Sequence, residues 1–187
     1  MSEVCTALGI PEHLWKLERP NIEIGEDDSL YRRVAKHFFF PGDVSGKISA
    51  VAFPLKNDSY NLASLCEVPG DVLFSIKLDV PHFEDHGIIE IQISSIRTSE
   101  FEYSGGQETF TCRFDIVHRP EDCMYPHTEI HVMVNDINQN PPNSRQAKDA
   151  LRMILRKSHE IILHPLPGIE SSQSEEPKTS LDDAGQE

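Results

Sequence analysis

Long apolar runs are missing from this chain. No uninterrupted stretch approaches the roughly 18–20 residues a helix needs to span a bilayer. The opening Met1-Ser2-Glu3 lacks the basic and apolar segments of a secretory signal. These two absences lead to the expectation of a cytoplasmic protein with no membrane association. Cysteine is scarce too. Cys5, Cys66, Cys112 and Cys123 include no Cys-x-x-Cys spacing and resemble neither a zinc framework nor a secreted disulfide scaffold. Cys66 and Cys112 lie in apolar, strand-like runs and read as buried thiols, and Cys123 reads as a peripheral thiol. Reaction motifs are wanting as well: there is no Gly-x-Ser-x-Gly elbow, no Walker lysine and no Gly-x-Gly-x-x-Gly. Ser104-Gly105-Gly106 reads as a hairpin loop rather than a phosphate cradle. Positive charge is in deficit, with 17 Lys and Arg against 31 Asp and Glu for a net charge of −14. Non-specific nucleic-acid binding is therefore disfavoured, because phosphate contacts need clustered cations.

What is present fits one domain, since 187 residues can bury a core but are few for two. The negative charge is concentrated at the ends. Residues 1–29 carry seven acids against Lys16 and Arg19, and residues 168–187 carry six acids against Lys178. The segment 168–187 has no aromatic residue, and Ser, Glu, Gln and Asp dominate it, so it reads as a disordered acidic tail. Residues 1–29 read as an acidic, partly ordered arm in which Leu14, Trp15 and Leu17 can dock on the body. Residues 30–167 form the expected single α+β domain.

Within that domain, Ser29 is placed to cap a short helix over 30–36, with Glu26, Asp27 and Asp28 near its positive end. Phe38-Phe39-Phe40 then precedes a Pro41-Gly42 turn. Strands are expected over 47–55, 60–68, 72–78, 88–96, 109–117 and 127–135, separated by turn signals such as Asn57-Asp58-Ser59 and Pro69-Gly70-Asp71. The period of two is clearest where Phe110, Cys112, Phe114 and Ile116 alternate with Thr111, Arg113 and Asp115. Residues 138–143, with Pro141-Pro142, read as a loop. Ser144 caps a helix over 144–158 whose Ala147, Ala150, Leu151, Ile154 and Leu155 fall on one stripe. Residues 160–163 either extend that helix or form an edge strand. The gaps between strands are too short for crossover helices. The expected fold is α+β: an antiparallel or mixed, strongly curved sheet of about six strands, possibly a half-open barrel, with one long C-terminal helix packed on it.

Chemistry is sparse. His127, Glu129 and His131 share one face of a strand, and two imidazoles with a carboxylate make a ligand set for a divalent metal. Same-face neighbours on a strand are about 6.5–7 Å apart, so three in a row span too far for one ion. A metal would need a further donor such as His118 or Asp115. The loop His82-Phe83-Glu84-Asp85-His86 holds a second set of imidazoles and acids, and Cys123 lies close to His127. The 144–158 helix carries Arg145, Lys148, Arg152, Arg156 and Lys157 against Asp149 alone. Its bases can face an acidic partner, nucleic acid, the chain's own acidic ends, or solvent.

The segments Leu30-Tyr31-Arg32-Arg33-Val34, 46–53, and His118-Arg119-Pro120 followed by Pro126-His127-Thr128-Glu129-Ile130 resemble those of small bacterial proteins. Those proteins open on a Leu-Tyr-Arg-Arg-like run and close on a Pro-x-x-His-like run. The resemblance covers about residues 30–135 and implies a shared role for these residues, with no activity attached. The leading expectation is a non-enzymatic interaction protein without a cofactor: a small cytoplasmic subunit, adaptor or immunity-type partner in a bacterial multi-protein system. Its contacts would be Phe38, Phe39 and Phe40 and the bases of the 144–158 helix. One alternative is a metal-dependent hydrolase or nuclease using His118, His127, Glu129 and His131 around a divalent ion. The other is nucleic-acid binding through the 144–158 helix.

Overall fold

The computed structural model describes residues 2–16, 22–40, 46–56, 58–77, 80, 82–105, 108–138 and 144–165. The expectations for Leu17, the Pro41-Gly42 turn, the 139–143 loop and the 168–187 tail lie outside these residues. In chain order the elements are α1 (Ser2–Ala7), β1 (Ser29–Val34), β2 (Asp58–Leu62), β3 (Gly87–Gln92), α2 (Ile93–Arg97), β4 (Glu100–Gly105), β5 (Glu108–His118), β6 (His127–Val134), β7 (Ile137–Asn138), α3 (Arg145–Ser158) and β8 (His159–Leu163). Seven strands run β4-β5-β6-β2-β1-β3-β8, and the two-residue β7 pairs beside β6. Every pairing is antiparallel. The sheet is strongly curved, a half-barrel.

Register decides which side chains face inward. Leu30 lies opposite both Leu62 and Ile91, Tyr60 opposite Thr128, and Phe114 opposite Val132, so all of these share the inner face. They pack with Ile93 and Ile96 of α2 and Leu151 and Leu155 of α3 into the main core. At ~25 cal/mol per Å² of apolar area removed from water, this packing is the dominant favourable term in the fold. On the outer face of β1 and β3, Val72 and Leu73 pack with Ile88 and Tyr31. A second small core forms outside the sheet from Cys5, Ile10, Leu14, Cys123 and Met124, with Trp15 and Phe74 against it. Residues 2–16 are thus packed on the body, and Tyr125 N donates to Leu14 O at 2.7 Å.

Several local expectations are overturned. Residues 29–34 form a strand, not a helix. Both edges of β1 are taken by β2 and β3, a gain that outweighs one N-cap, and the Ser29 hydroxyl donates instead to Glu90. Residues 47–55 hold a 3-10 turn, Ala50–Ala52, rather than a strand. The carbonyls of Ile48 and Phe53 accept from Arg156 and Arg152 of α3, so no ladder is needed to satisfy them. Strand pairing after Tyr60 stops at Leu62, and a 3-10 turn Ala63–Leu65 follows. Where a strand is expected over 72–78, Val72 and Leu73 belong to a 3-10 turn, Pro69–Leu73, held by Asp71, whose carboxylate accepts from the N–H groups of Glu67 and Val68; Phe74 makes a single bridge to His82, and Leu78 lies outside the described residues. Ile93 and Ile96 leave the period of two and bury at helical spacing, which makes α2 of what reads as the end of a strand. Residues 160–163 belong to the edge strand β8. β4 forms where no strand is expected, and Asn138, expected in a loop, pairs with Met133 as part of β7.

Candidate functional site

The β5–β6 register separates the four residues proposed for a metal. His118 lies opposite Thr128, a buried inner-face residue, whereas Glu129 lies opposite Val117 and His131 opposite Asp115 on the outer face. His118 therefore points to the other side of the sheet from the remaining three. Its Nε2 sits 2.8 Å from Tyr125 O. His127 Nδ1 sits 2.7 Å from Arg119 O, and its Nε2 is 3.8 Å from Glu121. Glu129 and His131 do meet, at 2.6 Å, and Arg119 approaches the same carboxylate oxygen at 3.6 Å. The result is a polar strip on the outer face, where Glu129 meets His131 and Arg119 and His127 is tied to a main-chain carbonyl, while His118 is tied to another from the inner face. Among the described residues, no group of three or more His, Cys, Asp or Glu side chains is arranged to hold a metal ion. In the 82–86 loop, His86 bonds Asp85 at 2.8 Å and the His82 ring packs edge-on against Phe74.

Helix α3 begins at Ser144, whose hydroxyl accepts from Ala147 N. Its stripe of Ala147, Leu151 and Leu155 is buried. Two of its bases have structural work: Arg152 Nε donates to Phe53 O at 3.1 Å and Arg156 Nε to Ile48 O at 2.8 Å. Lys47 closes the C-terminal end of the helix, donating to His159 O at 2.6 Å. This satisfies an end that a helix leaves open and places a cation where the dipole favours one. Arg145 is almost wholly solvent-facing and lies 3.7 Å from Asp149.

The three phenylalanines divide. Phe38 and Phe39 pack against the main core, while Phe40 is 49% exposed. The Phe39 ring lies over Gly87, where a Cβ would come within 3 Å of both Phe39 and the Leu163 carbonyl. Gly87 is thus the residue that lets the Phe38–Phe40 corner close onto the end of β8. Next to it, Ile162 and Leu163 of β8 are 42% and 46% exposed. Phe39 is the member of the aromatic corner placed against this end of β8, with its ring 6.0 Å from that of His164.

Three features escape a reading of sequence alone. Inside the main core, Arg32 Nη2 lies 2.8 Å from Asp58 Oδ1, and Tyr60 donates to the other oxygen of Asp58 at 2.9 Å. The guanidinium stacks over the rings of Phe53 and Tyr60, 5.4 Å from each centroid. Burial pushes the Asp58 carboxyl up to about 6 despite the adjacent Arg32. Nearby, His159 is fully buried; its Nε2 accepts from Ile48 N, and burial, aided by the Lys47 charge, holds its imidazole down at about 4. The third feature is a disulfide between Cys5 and Cys123, 118 residues apart. It replaces the peripheral thiol expected at Cys123, which is buried. Cys112 is a buried thiol and Cys66 a half-buried one that burial pushes up to about 12, so neither is a ready nucleophile. No family model, curated protein or solved structure matches this chain significantly.

Proposed function

We propose that the chain is a non-enzymatic interaction protein, a small subunit, adaptor or immunity-type partner in a bacterial multi-protein system, and that it takes its protein partner on the β8 edge. The observation that supports this reading most is the apolar character of that edge. β8 ends the sheet path, no strand pairs its far side among the described residues, and it exposes Ile162 and Leu163. An exposed apolar edge is a liability that folds normally blunt with charge, proline or a covering element. Left open, it is a template for strand addition, in which main-chain bonds supply affinity and flanking side chains supply specificity. The splitting of His118 from His127, Glu129 and His131 across the two faces of the sheet favours this reading over metal chemistry. The resemblance to bacterial proteins supports the bacterial setting.

The cytoplasmic placement drawn from composition needs the Cys5–Cys123 bond to persist among reducing thiols. Its two cysteines are 0% and 5% exposed, which shields the sulfurs from exchange. Among the described residues, no helix is long and apolar enough to cross a membrane.

Affinity purification of the tagged full chain from its native host tests the proposal. A stoichiometric protein partner is expected with the native chain and with Arg145→Glu, and at least tenfold less with Ile162→Lys. A partner that survives Ile162→Lys unchanged removes β8 from the proposal. A chain that purifies alone removes the interaction reading itself.

A further inference from the structure

We propose that the acidic segment 168–187 docks in cis on the cationic face of α3 and masks it. The structure defines that face. Lys148, Arg152 and Arg156 follow one another at i, i+4, i+8, one position on from the buried Ala147, Leu151 and Leu155, so they form a single stripe along the helix. The bonds from Arg152 Nε and Arg156 Nε to Phe53 O and Ile48 O fix both side chains in place, so little rotamer freedom is left to lose on binding an anion. Lys157 and Lys47 extend the positive charge to the end of the helix, and Asp149 is the one acid on it. Exposed Val51 and Met153 border the stripe with apolar surface.

The choice of occupant follows from charge and reach. Three of the seven N-terminal acids have partners of their own: Glu26 pairs with Arg97 at 2.9 Å, Asp28 accepts from Gly25 N, and Glu12 pairs with Lys16. The segment 168–187 holds Glu170, Glu175, Glu176, Asp182, Asp183 and Glu187 against Lys178. The described chain ends at Pro165, directly after β8, which itself follows α3 without a linker. At about 3.3–3.6 Å per residue, Glu175 can lie up to about 35 Å from Pro165. The five residues of β8 add about 17 Å and the 14 residues of α3 about 21 Å, so Glu175 reaches the C-terminal half of the stripe and Asp182, up to about 55 Å from Pro165, reaches all of it. Tethering at this distance gives an effective concentration on the order of millimolar, enough for weak charge pairing to be populated. The contact is exposed and electrostatic, so salt weakens it.

Zero-length carbodiimide cross-linking of the full chain, mapped by peptide mass spectrometry, tests the proposal. Carboxylates of 168–187 are expected to couple to Lys148, Lys157 and Lys47 within one chain. The yield should fall at least fivefold between low salt and about 0.5 M, where the Debye length is a few ångströms. A variant with E175Q, E176Q, D182N and D183N, which leaves every described residue intact, should lose those products. The same segment coupling evenly to Lys16, Lys36, Lys56 and Lys77, or coupling only between isotopically distinct chains, overturns the proposal. So does a yield indifferent to salt. None of these outcomes depends on whether β8 has a partner.

Discussion

The molecule has two cores, and they are held together differently. The main core lies on the inner face of the sheet, closed by α2 and α3, and is large enough to enclose the Arg32–Asp58 ion pair. The outer core around Leu14 is a small cluster between residues 2–16 and the β5–β6 turn, and a disulfide runs through it. Burial scales with size, so a small apolar cluster cannot by itself offset the entropy of ordering an N-terminal segment. A cross-link there removes much of that entropy from the unfolded chain. The inner core has apolar area to spare and contains a polar cluster that costs stability whenever it is incomplete.

Breaking that cluster has the largest expected effect. Arg32→Met leaves Asp58, 1% exposed, as a buried carboxylate without its cation. Urea denaturation is expected to show a loss of about 3–5 kcal/mol. Adding Asp58→Leu should recover most of it, because an apolar pair of similar volume needs no compensation. A double variant as weak as the single one would mean that the guanidinium works mainly through its stacking on Phe53 and Tyr60.

The outer core gives a somewhat smaller effect. Cys5→Ser opens a loop closed across 118 residues and is expected to cost about 2–5 kcal/mol. The loss should come with early protease cleavage within residues 2–16 while the sheet stays intact. Thiol titration of the unfolded, unreduced native chain should find two free cysteines, Cys66 and Cys112. Four would remove the cross-link from this comparison.

The same contrast explains what can be read in advance. β5 and β6 are legible because their two faces differ: Phe114 and Ile116 point inward while Arg113 and Asp115 point out. β1 is not, because Arg32 faces the core and Arg33 the outer layer, so charge fills both phases of the alternation. The partner that permits an inward Arg32 is Asp58, which sits in the Asn57-Asp58-Ser59 run and reads locally as turn chemistry. Segment 46–56 reads as a strand because Ile48 and Phe53 are apolar, yet its carbonyls go to helix guanidiniums that no local window connects to it. The candidate site was readable only within one strand. The shared face of Glu129 and His131 follows from spacing alone, and they meet. The face of His118 depends on the β5–β6 register, and a shift of one residue reverses it. The Cys5–Cys123 bond depends on where residues 2–16 dock, which is a tertiary fact.

The smallest expected effect concerns pH and belongs to the inner core alone. The Asp58 carboxyl rises from 3.8 to about 6 on folding, so between those values the native state holds more protons than the unfolded chain, and stability falls as pH rises. The His159 imidazole drops from 6.5 to about 4, so across nearly the same window the native state holds fewer protons, and stability rises with pH. At ~1.4 kcal/mol per pKa unit, each contributes on the order of 3 kcal/mol with opposite sign. The two slopes nearly cancel between pH 4 and 6 in the native chain. His159→Gln removes one of them, so the variant-minus-native difference in unfolding free energy should fall by up to about 3 kcal/mol from pH 4 to pH 6. Cys5→Ser lowers stability by an amount that does not vary over this range, because the outer core contains neither group. Parallel curves for His159→Gln and the native chain would show that the buried imidazole does not set the pH response. A slope in the Cys5→Ser difference would show that the two cores are coupled through the sheet they share.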